Sequence, residues 1–295
     1  MSARHDLATT ATGRETRRMT DQVTIGRVRV QAVSDIRMGG SRAYMFPQVP
    51  EERWQPWRHY INERGNLSIT IGTFVVRSEG NTILIDTGLG EKPRENFPPR
   101  PPQLMQNLAA AGVRPEDVDL VITTHLHVDH VGWNTVWQDG AWVPTFPRAR
   151  YLISRADWDY FTRPEQVAAL PYMADSVLPV HAAGRLDLVE GEHRVTGELT
   201  LIPAPGHTPG HLCVAIVSNG ERAVIIGDLA HHPVQLTELE WSVVFDLDPK
   251  LAAETRARMV ERMEAEGALV MGGHFPFPGF GRLVRLNGRR IWQAL

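Results

Sequence analysis

Residues 118–130 read Val-Asp-Leu-Val-Ile-Thr-Thr-His-Leu-His-Val-Asp-His, an apolar, β-branched run that ends in His125, His127, Asp129 and His130. The run Val118–Thr124 has the composition of a buried strand. Four metal-type donors follow it within six residues. Side chains two apart in an extended segment face the same side, so His125 and His127 can meet one ion. A turn after them sets Asp129 and His130 toward a neighbouring position. Imidazole with carboxylate suits zinc, and also manganese, iron or cobalt. The plain alternative is a histidine-rich surface loop. Three of the chain's twelve histidines beside an aspartate in one short window argue against it.

Outward from this window the same pattern recurs. Leu199–Pro203 leads through Ala204-Pro205-Gly206 to His207, Ala223–Ile226 leads through Gly227 to Asp228, and Ala268–Met271 leads through Gly272-Gly273 to His274. Taken singly, each is more simply a turn or cap residue. Together, four segments that run strand, small residue, ligand-type side chain describe one site. Glycine lets backbone approach a crowded centre, and strand-end loops are where a rigid scaffold displays reactive groups. Thr82–Asp86 ends in the same way, with Asp86 before Thr87-Gly88-Leu89-Gly90.

The rest of the chain bounds the answer. Its 295 residues are 42% hydrophobic and 22% charged, with a formal net charge of −3 and no run of like charges. Nucleic acid and anionic membrane, which need clustered Lys and Arg, are therefore poor partners; a small molecule is the better one. No window approaches the ~20 apolar residues of a membrane span. Cys213 is the single cysteine, so no intrachain disulfide exists, as suits a reducing, cytoplasmic setting; it lies in a strand-like run and reads as core. Residues 1–22 are polar, and Arg17-Arg18 opens no apolar stretch of an export signal, so a disordered leader is expected, followed by one domain over 23–295.

Strands are expected in Val23–Val33, Ile69–Val76, Thr82–Asp86, Cys213–Val217 and the runs already named. Helices are expected over Gln103–Ala111, after a proline-rich loop (Pro93, Pro98, Pro99, Pro101, Pro102), and over Pro249–Glu266, with Leu251, Thr255, Met259 and Met263 on one stripe. Gly132 to about Gly184 reads as loop and helix rich in aromatics. Strands in pairs, then alternating with helices, give an α/β or α+β class with layered sheets.

The order His-x-His-x-Asp-His, Gly-His-Thr-Pro-Gly-His, Gly-Asp, Gly-His over about residues 65–280 resembles the metallo-β-lactamase superfamily of hydrolases. The resemblance implies a four-layer αββα sandwich with two divalent metal ions, zinc first, at one edge of two facing sheets. It implies His125, His127 and His207 on one metal, Asp129, His130 and His274 on the other, Asp228 bridging both, and Asp86 orienting a ligand histidine from behind. A water shared by two such ions would attack an ester-type bond, with Asp129 orienting it or shuttling its proton and no Ser or Cys nucleophile required.

Departures narrow the substrate. Di-iron redox members carry glutamate where this chain has His127, and zinc lactamases carry cysteine where it has Asp228. Lactones and organophosphate triesters are the leading substrates. A thioesterase of the glyoxalase II type ranks second, since Arg282, Arg285, Arg289 and Arg290 sit on an expected strand and hairpin tail rather than a basic helical region. A non-hydrolytic or redox metalloprotein is the competing class. Acyl-homoserine lactonases commonly have tyrosine three residues after the bridging aspartate; here it is His231, as in sequences similar to the methyl parathion hydrolase group. His231 has two readings, a catalytic one (polarising the leaving group or the oxyanion) and a structural one at a helix start. Trp133, Trp137, Trp142, Phe146, Tyr151, Trp158, Tyr160 and Phe161 are expected to help roof an apolar or aromatic substrate, and the N-terminal arm with Trp54–Trp57 suits a homodimer.

Overall fold

In the computed structural model, residues 21–92 and 101–295 are described. All but the last two residues of the expected leader, and Pro93, Pro98 and Pro99, lie outside them. Along the chain, β1 (Gln22–Ile25) and β2 (Val28–Ser41) form a hairpin, then a short helix α1 (Arg42–Met45) and a 3-10 turn of helix (Glu51–Tyr60) lead to β3 (Asn66–Ser78) and β4 (Asn81–Ile85). Helix α2 (Leu104–Ala110) precedes β5 (Leu120–Ile122), and α3 (Val128–Val131) follows it. Next come the hairpin β6 (Thr135–Gln138) and β7 (Ala141–Pro144), β8 (Arg150–Ser154), α4 (Arg155–Phe161), α5 (Pro164–Ala169), α6 (Leu178–Ala182) and β9 (Leu186–Val189). The second half holds β10 (His193–Arg194), β11 (Leu199–Pro203), β12 (Leu212–Ser218), β13 (Glu221–Ile225), α7 (Pro249–Ala265), β14 (Leu269–Met271), β15 (Phe280–Leu286) and β16 (Arg289–Ala294).

Two seven-stranded sheets result, β1-β2-β3-β4-β5-β8-β9 and β10-β11-β12-β13-β14-β15-β16. Strand alternation sends Val28, Val30, Phe74, Val76, Ile83 and Ile85 inward, against Leu201, Val214, Ile216, Ile225 and Met271 of the second sheet. The outward residues Val75, Leu84 and Val121 pack on Leu104, Leu108 and Val180 of α2 and α6. On the far side Ile202, Val224 and Val270 pack on Met259, Val260 and Met263 of α7. Helix, sheet, sheet, helix: this is the expected four-layer sandwich.

The segment from Gly132 to Gly184 corrects the expectation. It contains the β6–β7 hairpin, and β8 is a fully paired member of the first sheet, parallel to both β5 and β9. Arg150–Ser154 is a short strand within a sheet covered on both faces, so it shows no polar alternation to mark it. Its aromatic neighbours disguised it further. The Val118–Thr124 strand is shorter than expected at both ends, spanning Leu120–Ile122. Trp54 and Trp57 are buried in a cluster with Phe46 and Trp241, so these rings belong to the core of the chain.

Parallel pairing of β4 with β5 and of β13 with β14 aligns their C-terminal ends. β11 runs antiparallel to β12 and β12 antiparallel to β13, so β11 ends there too. Open α/β sheets present their sites at that edge.

Candidate metal centre

Every expected donor lies just beyond one of those aligned ends, Asp129 and His130 in the short helix α3. His125 and His127 follow β5, His207 follows β11, Asp228 follows β13 and His274 follows β14. His127 Nδ1 is 3.1 Å from His125 Nε2 and 2.9 Å from His207 Nε2, and the last two are 3.2 Å apart. His130 Nε2 is 3.2 Å from His274 Nε2. Asp129 joins this second group, with Oδ2 3.5 Å from His274 Nε2. Asp228 stands between the groups. Its Oδ2 is 3.3 Å from His207 Nε2 and 3.6 Å from His125 Nε2, while its Oδ1 is 3.4 Å from His130 Nε2 and 3.2 Å from His274 Nε2. The two sets, His125/His127/His207/Asp228 and Asp129/His130/His274, each bring one atom per residue within 4.8 Å of all the others.

The rings are held from behind, which fixes what they offer in front. His130 Nδ1–H donates to Asp86 Oδ2 at 2.9 Å, His207 Nδ1–H to Asp246 Oδ1 at 2.8 Å, and His274 Nδ1–H to the Thr70 carbonyl at 2.8 Å. With the outer nitrogen protonated, a neutral ring aims its lone pair inward. Lone pairs converging at ~3 Å repel unless a cation lies among them. Burial, the largest effect, and the neighbouring rings hold His125 and His127 well below the ordinary histidine range. For His130 and His274 burial also lowers, but Asp228 and its fellow carboxylates override it and raise both. Asp228 Oδ1 is buried without a hydrogen-bond partner. A carboxylate oxygen so placed costs free energy that a bound cation removes. The donor set fits two divalent metal ions.

Asp86 takes up the supporting position expected of it. Besides His130 it accepts Thr124 N–H at 2.7 Å and Thr124 Oγ1–H at 2.8 Å, binding β4's end to β5's. Gly227 is needed where it stands: at φ +50° it is in the left-handed region, and a Cβ there would meet His211 Nε2 at 2.7 Å.

His231 joins the cage from the side. Its Nε2 is 3.0 Å from Asp228 Oδ2 and its ring stacks on His274 at 5.3 Å between centroids. Its backbone N–H donates to Gln235 Oε1 at the start of the 3-10 turn Pro233–Leu236. The backbone of His231 thus serves the turn while its ring faces the site.

Five supporting residues escaped the sequence reading. Asp246, which fixes His207, is followed by a buried Arg256 whose Nη2 is 3.6 Å from Asp246 Oδ2. His211 accepts the Asp228 N–H at 2.9 Å and donates from Nδ1 to the Ala204 carbonyl; burial takes it down to about 3, so it is neutral. It stands in the Gly-His-Thr-Pro-Gly-His run, where its motif was the available signal. Thr70 acts through its backbone, which no residue type advertises. Asp157, buried in α4, accepts Leu126 N–H at 3.0 Å, Gly210 N–H at 2.6 Å and Thr208 Oγ1–H at 3.0 Å. It ties the 125–130 loop to the 204–211 loop. Asp157→Ala strands three buried donors, and at ~1 kcal/mol for each urea unfolding should show about 3 kcal/mol less stability; an unchanged midpoint would discount the tie.

Of the eight rings expected to roof a substrate, Trp133, Phe146, Tyr151 and Phe161 are buried and Trp137 is exposed. Trp133, Phe146 and Tyr151 pack behind the first sheet, and Trp137 and Trp142 pack on each other at 5.0 Å. Phe161 alone of the eight makes a ring contact with the cage among the described residues, at 5.8 Å from His127. Cys213 is buried, and burial pushes its thiol up to about 12, so it is no nucleophile.

Comparison with known proteins agrees with the geometry. An N-acyl homoserine lactonase of Bacillus thuringiensis is 25% identical over 223 residues, 70% of this chain and 82% of that protein. One from Bacillus cereus is 26% identical over 77% of this chain and 91% of its own length. A crystal structure of AbOPH, a hydrolase of the beta-lactamase superfamily, superposes with TM-score 0.79 and 29% identity, covering 93% of this chain and 96% of that one. AidC, a dizinc quorum-quenching lactonase, matches with TM-score 0.78 and 20% identity over 94% and 97% of the two chains, a likeness of fold. The family model for the metallo-beta-lactamase superfamily matches residues 73–274, the span that carries the whole cage, and the chain belongs to that superfamily.

Proposed function

We propose that this chain is a zinc-dependent hydrolase that opens lactone rings, with N-acyl homoserine lactones as the substrate class. The observation that carries the reading is Asp228, whose two oxygens face two separate donor sets. The lactonase relatives supply the substrate class. His125, His127 and His207 would hold one cation, Asp129, His130 and His274 the other, and Asp228 both. When bound, the pair supplies a water that ionises near neutral pH and positive charge for the developing oxyanion.

The chain's own residues do the rest. Asp129, whose side chain keeps 17% exposure at the mouth of the cage, orients the attacking water and takes its proton. His231, whose Nε2–H points at Asp228 Oδ2 from 3.0 Å, would turn that N–H to the substrate's carbonyl or leaving-group oxygen once the cations engage Asp228. His231→Ala is then expected to lower kcat about 10- to 100-fold with KM within about threefold and two metals retained. A packing role alone would lower the melting temperature and leave kcat in place. The single thiol, unable to form an intrachain bridge, fits a cytoplasmic enzyme.

The test is turnover by the dizinc protein on N-hexanoyl homoserine lactone, paraoxon, an aryl acetate, nitrocefin and S-lactoylglutathione. Lactone hydrolysis exceeding all others is the expected result. An organophosphate triester is the second reading, favoured by His231 where acyl-homoserine lactonases carry tyrosine, and paraoxon turnover exceeding lactone turnover would install it instead.

A further inference from the structure

Eight large apolar side chains are strongly exposed among the described residues, and Tyr44, Val244, Phe245 and Leu247 are four of them, at 39–62%. Scattered exposed apolar residues are ordinary; a contiguous group is not. This group is contiguous. The Tyr44 and Phe245 rings meet edge-on at 5.8 Å, and the Val244 N–H donates to the Met45 carbonyl at 2.9 Å, joining two segments 200 residues apart in sequence.

It is also continuous with the metal centre. Phe245 lies 6.0 Å from the His231 ring, and His231 Nε2 is 3.0 Å from Asp228. Two of their neighbours in the chain explain the arrangement. Val243 is buried with Trp54 and Trp241, and Asp246 is buried against His207, so Val244, Phe245 and Leu247 are turned outward. The backbone there is tied at both ends, by Asp246 N–H to the Val243 carbonyl at 3.1 Å and Leu247 N–H to the His207 carbonyl at 3.0 Å. The exposed side chains therefore stand on a fixed support beside the reacting centre.

We propose that Tyr44, Val244, Phe245 and Leu247 form an apolar lip that takes the hydrocarbon tail of the lactone while its ring sits at the cage. This rests on the lactonase reading above. The occupant is argued from position: a lip reaching a cage residue through a ring contact serves whatever arm projects from the scissile group. Burial of successive methylenes on it makes turnover rise with tail length.

The experiment compares kcat/KM for N-butanoyl and N-dodecanoyl homoserine lactones, with the full-length dizinc chain. The wild type should favour the longer tail by about tenfold or more, and Tyr44→Ala/Phe245→Ala should cut that ratio about tenfold. Trp137→Ala, an exposed ring on the remote hairpin, should keep the wild-type ratio. Both positions are surface-exposed, so folding is not at stake, and thermal melting of each variant checks it. A ratio unchanged by the double substitution overturns the lip while butanoyl turnover still upholds the lactonase reading. A wild-type dimer that the double variant dissolves in sedimentation, at unchanged ratio, overturns it in favour of a contact between copies. Failure to hydrolyse either lactone defeats the reading itself, and the lip with it.

Discussion

Asp228→Asn should lower kcat/KM by about a thousandfold or more and leave the purified protein short of one metal ion per chain. The change is nearly isosteric, and the surrounding fold does not depend on the lost charge: the Asp228 N–H still donates to His211, and Gly227 keeps its left-handed turn. What changes is the field in the cage. One anionic oxygen faces His125 and His207, the other His130 and His274. An amide presents one neutral acceptor and one N–H donor, so one of the two donor sets would meet an N–H where it needs a lone pair. Neither set alone offers the paired charge that would steady the attacking water and the developing oxyanion together. Removing a comparably placed catalytic charge costs ~3–4 kcal/mol of barrier, a hundred- to thousandfold, and losing a cation adds to it. Metal analysis of the dialysed variant reads the first part and lactone turnover the second. A variant holding two ions with near wild-type kcat/KM would remove Asp228 from the mechanism.

How far this was legible before any coordinates depends on where the information is stored. The donors were legible because chemistry restricts them to a few residue types and because each follows a strand and a small residue, so one pattern repeated at His125, His207, Asp228 and His274 marked a common edge. The layered α/β class followed from strands whose alternation or apolar runs survive locally, and the four-layer sandwich from the family resemblance that the donor motifs carry. β8 did not: Arg150–Ser154 is a strand through its parallel neighbours β5 and β9, and pairing between distant segments leaves little trace in five residues. The supports were hidden for a related reason. Asp157 and Asp246 are ordinary aspartates in sequence, and only burial against another loop's backbone gives them their function. Trp54 and Trp57 show the converse, since a conspicuous cluster can be plain core.

Removing the metals should lower the melting temperature as well as abolish turnover, and the size of the drop should depend on pH in a defined direction. With free zinc a thousandfold above its dissociation constant, each site adds about 4 kcal/mol to the folded state. At roughly 2 °C per kcal/mol for a chain of this size, two sites correspond to about 15 °C. In the metal-free protein the cage must balance its carboxylates with protons instead. His207 shows how. Burial lowers its affinity for a proton, but the hydrogen bonds to Asp228 and Asp246 outweigh that and raise it to about 9, against ~6.5 when unfolded. Its contribution to stability is therefore fully present below about pH 6.5 and lost as the pH rises through about 9. His125 and His127 are lowered, so their contribution acts in the opposite sense and lies below pH 6.5, outside that window. The metal-loaded protein behaves the other way, because protons compete with metal for the same imidazoles and acidification strips it. The gap in melting temperature between zinc-loaded and chelator-treated protein should accordingly widen from pH 6.5 to pH 9, with readdition of zinc restoring the upper curve. A gap that stays constant or narrows over that range would mean that the cage carries no such protons, and that its histidines are held together by something other than the charge of Asp228.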